Sequence, residues 1–135
     1  MRTTSGKSQL IIYVDTSEVR QGRLEELKAA MAELAEFVEA NEPRLVAYHV
    51  YFSADGARMT VLHINPDSAS LEFHMKVAGP MFPPIGEFID MLAIDVYGRP
   101  DAALVERLRK KAALLGSGMV RVHDLQAGFA RVLAG

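Results

Sequence analysis

The chain has no cysteine and no tryptophan. Without thiols there is no cysteine nucleophile, disulfide, thiolate metal site or iron–sulfur cluster, and no sign of an oxidising compartment. An excess of one charge is also missing. Fifteen basic against seventeen acidic side chains leave a formal net charge of −2, which gives no electrostatic case for nucleic acid or an anionic membrane. No apolar run approaches the ~18–20 residues that span a bilayer. Residues 1–8 lack the apolar core of a secretory signal, so a cytoplasmic chain with a short flexible N-terminal arm is expected. Neither a G-x-G-x-x-G nor a Walker pattern occurs, and the four histidines show no H-x-H or H-x-x-x-H spacing, so no metal is expected. A small neutral partner fits these exclusions, in a chain whose 135 residues suffice for one domain with a real core.

What is present is an ordered alternation of strand and helix signals. Residues 9–15 read as a strand and 16–22 as a polar connection. A helix follows, with Leu24, Leu27, Met31, Leu34 and Val38 on one stripe, ended by Asn41 and Pro43. Residues 44–53 form a second strand. Asp55-Gly56 predicts a two-residue type I′ hairpin into a third, 57–65, with Tyr48 opposite His63 and Val50 opposite Val61. Pro66, Asp67 and Ser68 offer an N-cap to a helix carrying Leu71, His74, Met75 and Ala78 inward. Pro83-Pro84 and Gly86 make 81–87 irregular or a single turn, of the kind that borders a cavity, before a fourth strand near 90–97.

This order, β-α-β-β-α-β, is the ferredoxin-like arrangement: an antiparallel sheet over 9–98 with helices on one face. Beyond it, 99–135 reads as an extension that packs on the same domain or on a partner subunit. It contains a helix over 102–115 with Leu104, Leu108, Ala112 and Leu115 inward, a Gly116-Ser117-Gly118 break, a strand over 119–123, and an amphipathic turn or short helix over 124–133. Arg107, Arg109, Lys110 and Lys111 read as a solvated basic helix face.

The two sheet faces differ in chemistry. Leu10, Ile12, Val14, Leu62, Ile64, Leu92, Ile94 and Val96 are expected under the helices. Tyr13, Tyr48, His63, Asn65, Asp95 and Tyr97 are expected on the uncovered side. That side would expose too much apolar surface in a monomer, so a homodimer through the open sheet face is expected.

With these elements placed, the chain resembles the antibiotic biosynthesis monooxygenase family of dimeric α+β barrels. The resemblance covers 9–98 and rests on element order and on Tyr48-His49-Val50-Tyr51 before the hairpin. It rests also on Val61-Leu62 leading through Asp67 to Leu71-Glu72-Phe73-His74-Met75, and on Val96-Tyr97-Gly98. It implies face-to-face dimers that bind small phenolic or quinol substrates, and oxygenation without metal or organic cofactor in some members. Where members often carry a Glu-x-Trp pattern, this chain has His63-Ile64-Asn65, so roles resting on that Glu or Trp do not carry over. The absence of Trp also argues against the haem-degrading relatives.

The candidate site residues follow. His74, on the apolar stripe of its helix, is either a base or a satisfied core histidine. His63 is a base in an aromatic pocket or a dimer-interface histidine. Tyr13, Tyr48, Asn65 and Phe82 are candidate substrate contacts, although Tyr is also common at interfaces. Asp95 on an apolar strand either orients a His or pairs with Arg44, Arg58 or an arginine of another subunit. His49 reads as structural and helix-facing, and His123 as a tail residue without partners. The expectation is a cofactor-independent monooxygenase acting on an aromatic, quinol or polyketide-like molecule with a His base. The alternatives are a non-catalytic ligand-binding or interaction dimer, or a structural dimer whose cavity is filled by side chains such as Phe52, Met59 and Phe82.

Overall fold

The computed structural model describes residues 9–131. The arm expected over 1–8 and residues 132–133 of the final segment lie outside the described residues. In chain order the elements are β1 (Ile11–Val19), α1 (Leu24–Asn41), β2 (Ala47–Phe52), β3 (Arg58–Asn65), α2 (Ser68–Ala78), a 3₁₀ turn (Gly79–Met81), the single-turn α3 (Phe82–Ile85), β4 (Ile89–Tyr97), α4 (Ala102–Leu115) and β5 (Gly116–His123). The sheet order is β2-β3-β1-β4-β5. Its first four strands are antiparallel, as the ferredoxin-like reading requires, and β5 adds a parallel edge beside β4. No helix among the described residues is long and apolar enough to cross a membrane.

The helices form where the periodicity placed them. Leu27, Met31, Leu34 and Val38 are buried along α1, each stabilising the fold by roughly 1.5–3 kcal/mol relative to exposure. The Asp67 carboxylate caps α2 by accepting from Ser70 N at 2.9 Å. Asp101 caps α4 in the same way from Leu104 N at 2.9 Å. Each cap contributes about 1 kcal/mol.

The β2–β3 register has Tyr48 opposite His63 and Val50 opposite Val61, as expected. The turn itself differs. Ser53 N donates to Arg58 O, and Gly56 N donates to Ser53 O. Ser53 and Asp55 side chains stitch the loop, and Gly56 has positive φ. The loop therefore spans 54–57, wider than a two-residue type I′ turn but centred at the same place, which is why the register survives. β1 is also longer than expected. The polar 16–19 continues it, with a register shift between Thr16 and Ser17 and Ser17 fully buried.

The two sheet faces are exchanged relative to the sequence expectation. Ile11, Tyr13, Asp15, Met59, Val61, His63 and Asn65 are buried beneath the helices, whereas Ile12, Val14, Leu62 and Ile64 are only partly buried. Alternation groups residues by face but does not say which group the helices cover. On β4 the shift near Leu92 puts Ile94 and Val96 on the covered side after all, opposite Asp15 and Tyr13. Asp95 and Tyr97 stay on the open side, as expected. His49 is there too, exposed and bonded to the Tyr51 hydroxyl at 2.9 Å, not helix-facing.

Instead of breaking at 116–118, the chain passes directly from α4 into β5, and residues 124–131 form no helix. A Cβ on Gly116 would lie 2.4 Å from Met91 N and 2.5 Å from Met91 O, so only glycine lets β5 start this close to β4. Gly116→Ala is expected to destabilise the protein by about 1–3 kcal/mol and to lower Tm by several degrees, measured by thermal unfolding.

Candidate active site between sheet and helices

Six elements direct polar side chains to one buried place. β1 contributes Tyr13 and Asp15, β2 Tyr48, β3 His63 and Asn65, and α2 His74. Glu42 comes from the residue that ends α1, and Lys111 from the inner face of α4. Phe82 and Ile85 of α3 close one side. Of these, Asp15, Tyr48, His63, His74, Lys111, Phe82 and Ile85 line a cavity of about 20 Å³ together with apolar side chains such as Met59, Met91 and Leu115; Tyr13, Glu42 and Asn65 bond to Asp15, His74 and His63 in turn. That space is enough for one water molecule.

His74 and Glu42 form a dyad. His74 Nδ1 lies 2.9 and 3.0 Å from the two Glu42 carboxylate oxygens, and both side chains are 2% exposed. A carboxylate only accepts, so Nδ1 carries the hydrogen and Nε2 keeps its lone pair when the ring is neutral. Burial pushes the His74 pKa below its ordinary value, and the hydrogen bond to Glu42 works against that shift. The result is a neutral imidazole held in one tautomer by a carboxylate, the arrangement of a general base.

His63 has the opposite polarity. Asn65 Nδ2 lies 3.0 Å from His63 Nδ1 and 3.4 Å from the Ile11 carbonyl oxygen. The carbonyl requires the amide nitrogen on that side, so Asn65 donates to both and His63 Nδ1 accepts. The ring hydrogen then sits on Nε2. Burial, followed by the charges of His74 and Lys111, holds the His63 pKa well below its ordinary value. His63 is thus a neutral donor, stacked on Tyr13 (centroids 4.1 Å apart) and 4.6 Å from the His74 ring. Its Nε2 is buried without a hydrogen-bond partner among the described residues, as is Asp15 Oδ1.

The remaining polar groups are linked. The Tyr13 hydroxyl donates to Asp15 Oδ2 at 2.5 Å, and Lys111 Nζ lies 3.8 Å from the same oxygen. Burial raises the Asp15 pKa against the pull of Lys111 and lowers that of Lys111 against the pull of Asp15. Burial likewise raises the Tyr48 pKa, with Asp15 and Glu42 adding to the shift, so its hydroxyl stays protonated. Tyr48 lies 5.5 Å from the His63 ring and 5.8 Å from that of His74.

Tyr13, Tyr48, Asn65, His63, His74 and Phe82, all legible in the sequence, therefore meet in one place. Asp95 does not join them. On the opposite face Arg121 holds it with two bonds of 2.8 and 2.9 Å, and His123 Nε2 lies 2.9 Å from it. The arginine is thus neither Arg44, which pairs with Asp67 at 2.8 Å, nor Arg58. The Arg121 bond leads in depressing the Asp95 pKa. His123 is not partnerless, because it also stacks on Tyr97 at 4.4 Å. Three site residues escaped the sequence reading. Lys111 is buried, not part of a solvated basic face, and the steps Leu104, Leu108, Lys111, Leu115 carried the signal. Asp15 shares the alternation of Ile11 and Tyr13. Glu42 follows no period, and nothing local marks it.

These shifts set a pH dependence. His63 and His74 bind protons more weakly in the folded chain, so stability is complete above their ordinary value of 6.5. It falls as pH drops below that value, by up to about 1.4 kcal/mol per pH unit for each ring. Asp15 acts in the opposite sense, in the window above its ordinary value of 3.8. Urea unfolding at pH 7, 6 and 5 is expected to show the loss, and His63→Gln a shallower dependence by about one proton.

No protein-family model matches the sequence, and no curated protein does. Solved structures do. MupZ from Pseudomonas fluorescens superposes with a TM-score of 0.74 at 18% identity, over 99% of this chain and 100% of its own, so the likeness takes in α4 and β5. A variant of SnoaB, a cofactor-independent oxygenase from Streptomyces nogalater, gives 0.59 at 14% identity over 70% of this chain and 97% of its own. A Caulobacter crescentus protein named provisionally as an antibiotic biosynthesis monooxygenase gives 0.56 at 24% identity, over 66% and 88%. The chain has the α+β fold of the antibiotic biosynthesis monooxygenase-like structures.

Proposed function

We propose that the protein is a small oxygenase that works without metal or organic cofactor, on a hydroquinone, anthrone or polyketide-like substrate from which His74 removes a proton. The observation that carries this reading is the His74–Glu42 dyad beside an unpaired His63 Nε2 at a small, mostly apolar cavity. Neutral His74 takes the substrate's acidic proton at Nε2, and Glu42 stabilises the imidazolium that results. His63 Nε2–H then donates to the oxygen on which charge develops, and the protonated Tyr48 hydroxyl is a second donor. Asn65 acts through His63 by fixing its tautomer, and Tyr13 acts through Asp15, since its hydroxyl is already committed there.

Deprotonation makes the substrate a far better electron donor to dioxygen. For an anthrone the balance is CH₂ plus O₂ to C=O plus H₂O, so one oxygen atom enters the product and the other leaves as water. With Phe82 and Ile85 in place the cavity holds no more than a water, so a substrate is admitted when the 79–85 segment moves outward. In this reading 9–98 is the catalytic domain, and the extension that begins at 99 packs on it and adds Lys111 and Leu115 to the cavity wall. A second copy covers the open face through Ile12, Val14, Leu62 and Ile64, apolar side chains that one subunit leaves partly bare.

A second reading, a dimer that does no chemistry, draws support from the small cavity and from Met59 and Phe82 on its walls. Two observations favour catalysis. Two residues that line the cavity keep unpaired buried atoms, His63 Nε2 and Asp15 Oδ1, at roughly 1–3 kcal/mol each, and a substrate there would supply partners. A purely structural core also needs no neutral His held by a buried carboxylate.

Oxygen uptake with a panel of hydroquinones and anthrones tests the proposal. His74→Ala and Glu42→Gln are each expected to lower kcat by about 10²-fold or more. Uptake by the wild type no higher than by His74→Ala would overturn it, as would recovery of every bound compound unchanged under oxygen.

A further inference from the structure

The extension brings a cation into the cavity that acid–base chemistry at His74 does not use. Lys111 is 7% exposed, and its ammonium lies 4.1 Å from the centre of the Phe82 ring and 4.6 Å from that of Tyr13. Aromatic faces hold a cation by their quadrupole but leave its N–H donors without a lone-pair acceptor. Its oxygen partner among the described residues is Asp15 Oδ2 at 3.8 Å, well beyond the ~2.7–2.9 Å of a committed N⁺–H···O⁻ bond. That oxygen already accepts from Tyr13 at 2.5 Å. A lysine placed only to neutralise Asp15 would close on it. This one is held by two rings, beside the same cavity that His63 lines.

We propose that Lys111 is the pocket's substrate-binding cation, and that with His63 Nε2–H it makes the cavity select a small aromatic molecule as its phenolate. The charged and titratable groups around it are Asp15 and Tyr13 of β1, Tyr48 of β2, His63 of β3, His74 of α2 and Glu42 at the end of α1. Two of these are carboxyl groups, bonded to Tyr13 and His74 and without positive charge to attract an anion, so the ammonium is the group left to receive one. The inference rests on reading the cavity as a substrate pocket but not on oxygen chemistry.

The probe is 4-nitrophenol, whose acid and phenolate absorb at different wavelengths, titrated without oxygen from pH 5 to 8. Binding to the wild type is expected to raise the phenolate fraction at pH 6 several-fold over free probe. Lys111→Arg should keep that rise. Lys111→Met should lose it, and so should Asp15→Asn/Lys111→Met, which removes both charges and leaves neither buried alone. A retained rise in the folded double variant overturns the proposal, and so does failure of the wild type to bind millimolar probe. Phenolate enrichment without oxygen uptake on the substrate panel would leave this inference standing and remove the oxygenase reading; uptake without Lys111-dependent enrichment would do the reverse.

Discussion

Polar side chains that β1 and β3 turn beneath the helices must be paired there, and that requirement organises the rest of the molecule. Between them the two strands bury two rings, a carboxylate, an amide and a hydroxyl in surroundings where each unpaired group costs on the order of 1–3 kcal/mol. The partners come from far along the chain. Glu42 reaches His74 across 32 positions, and Lys111 approaches Asp15 from α4. Tyr13 pairs with Asp15 and Asn65 with His63 locally. On these two strands Asp15 Oδ1, Ser17 Oγ, His63 Nε2 and Asn65 Oδ1 stay without a partner among the described residues.

The same constraint explains the C-terminal extension. A four-stranded ferredoxin-like sheet would have ended at β4. Here β5 continues it in parallel, seated so close that glycine is needed at 116. α4 is thereby anchored with Leu104, Leu108 and Leu115 inward, and Lys111 shares that inner face. On the other side of the sheet, Arg121 of β5 neutralises Asp95 and His123 bonds to it. One added helix and strand thus serve a buried charge on each face, and the likeness to MupZ extends over them.

The histidines also show how environment divides roles between identical side chains. A carboxylate on Nδ1 makes His74 an acceptor at Nε2, whereas an amide donor on Nδ1 makes His63 a donor there. Burial keeps both rings neutral near pH 7. An acceptor nitrogen and a donor nitrogen arise from the same residue type, on rings whose centres are 4.6 Å apart.

Much of the fold was legible in the sequence because its signals are local. Helix stripes, the Asp67 cap, the hairpin register and the β-α-β-β-α-β order all follow from periodicity and turn chemistry within short windows. So did the grouping of Tyr13, Tyr48, His63 and Asn65 on one face, and the inward placing of His74. Which face lay under the helices was not legible, because alternation is symmetric between the two sides. Lys111 was read as solvated because its neighbours Arg109 and Lys110 are. Asp95 was drawn into the site because its partners Arg121 and His123 arrive through a parallel pairing that no local pattern announces. By itself the sequence determined the elements and the side-chain sets they carry. The tertiary structure decided which set was buried, which carboxylate met which histidine and which lysine entered the core, since those depend on contacts between residues tens of positions apart.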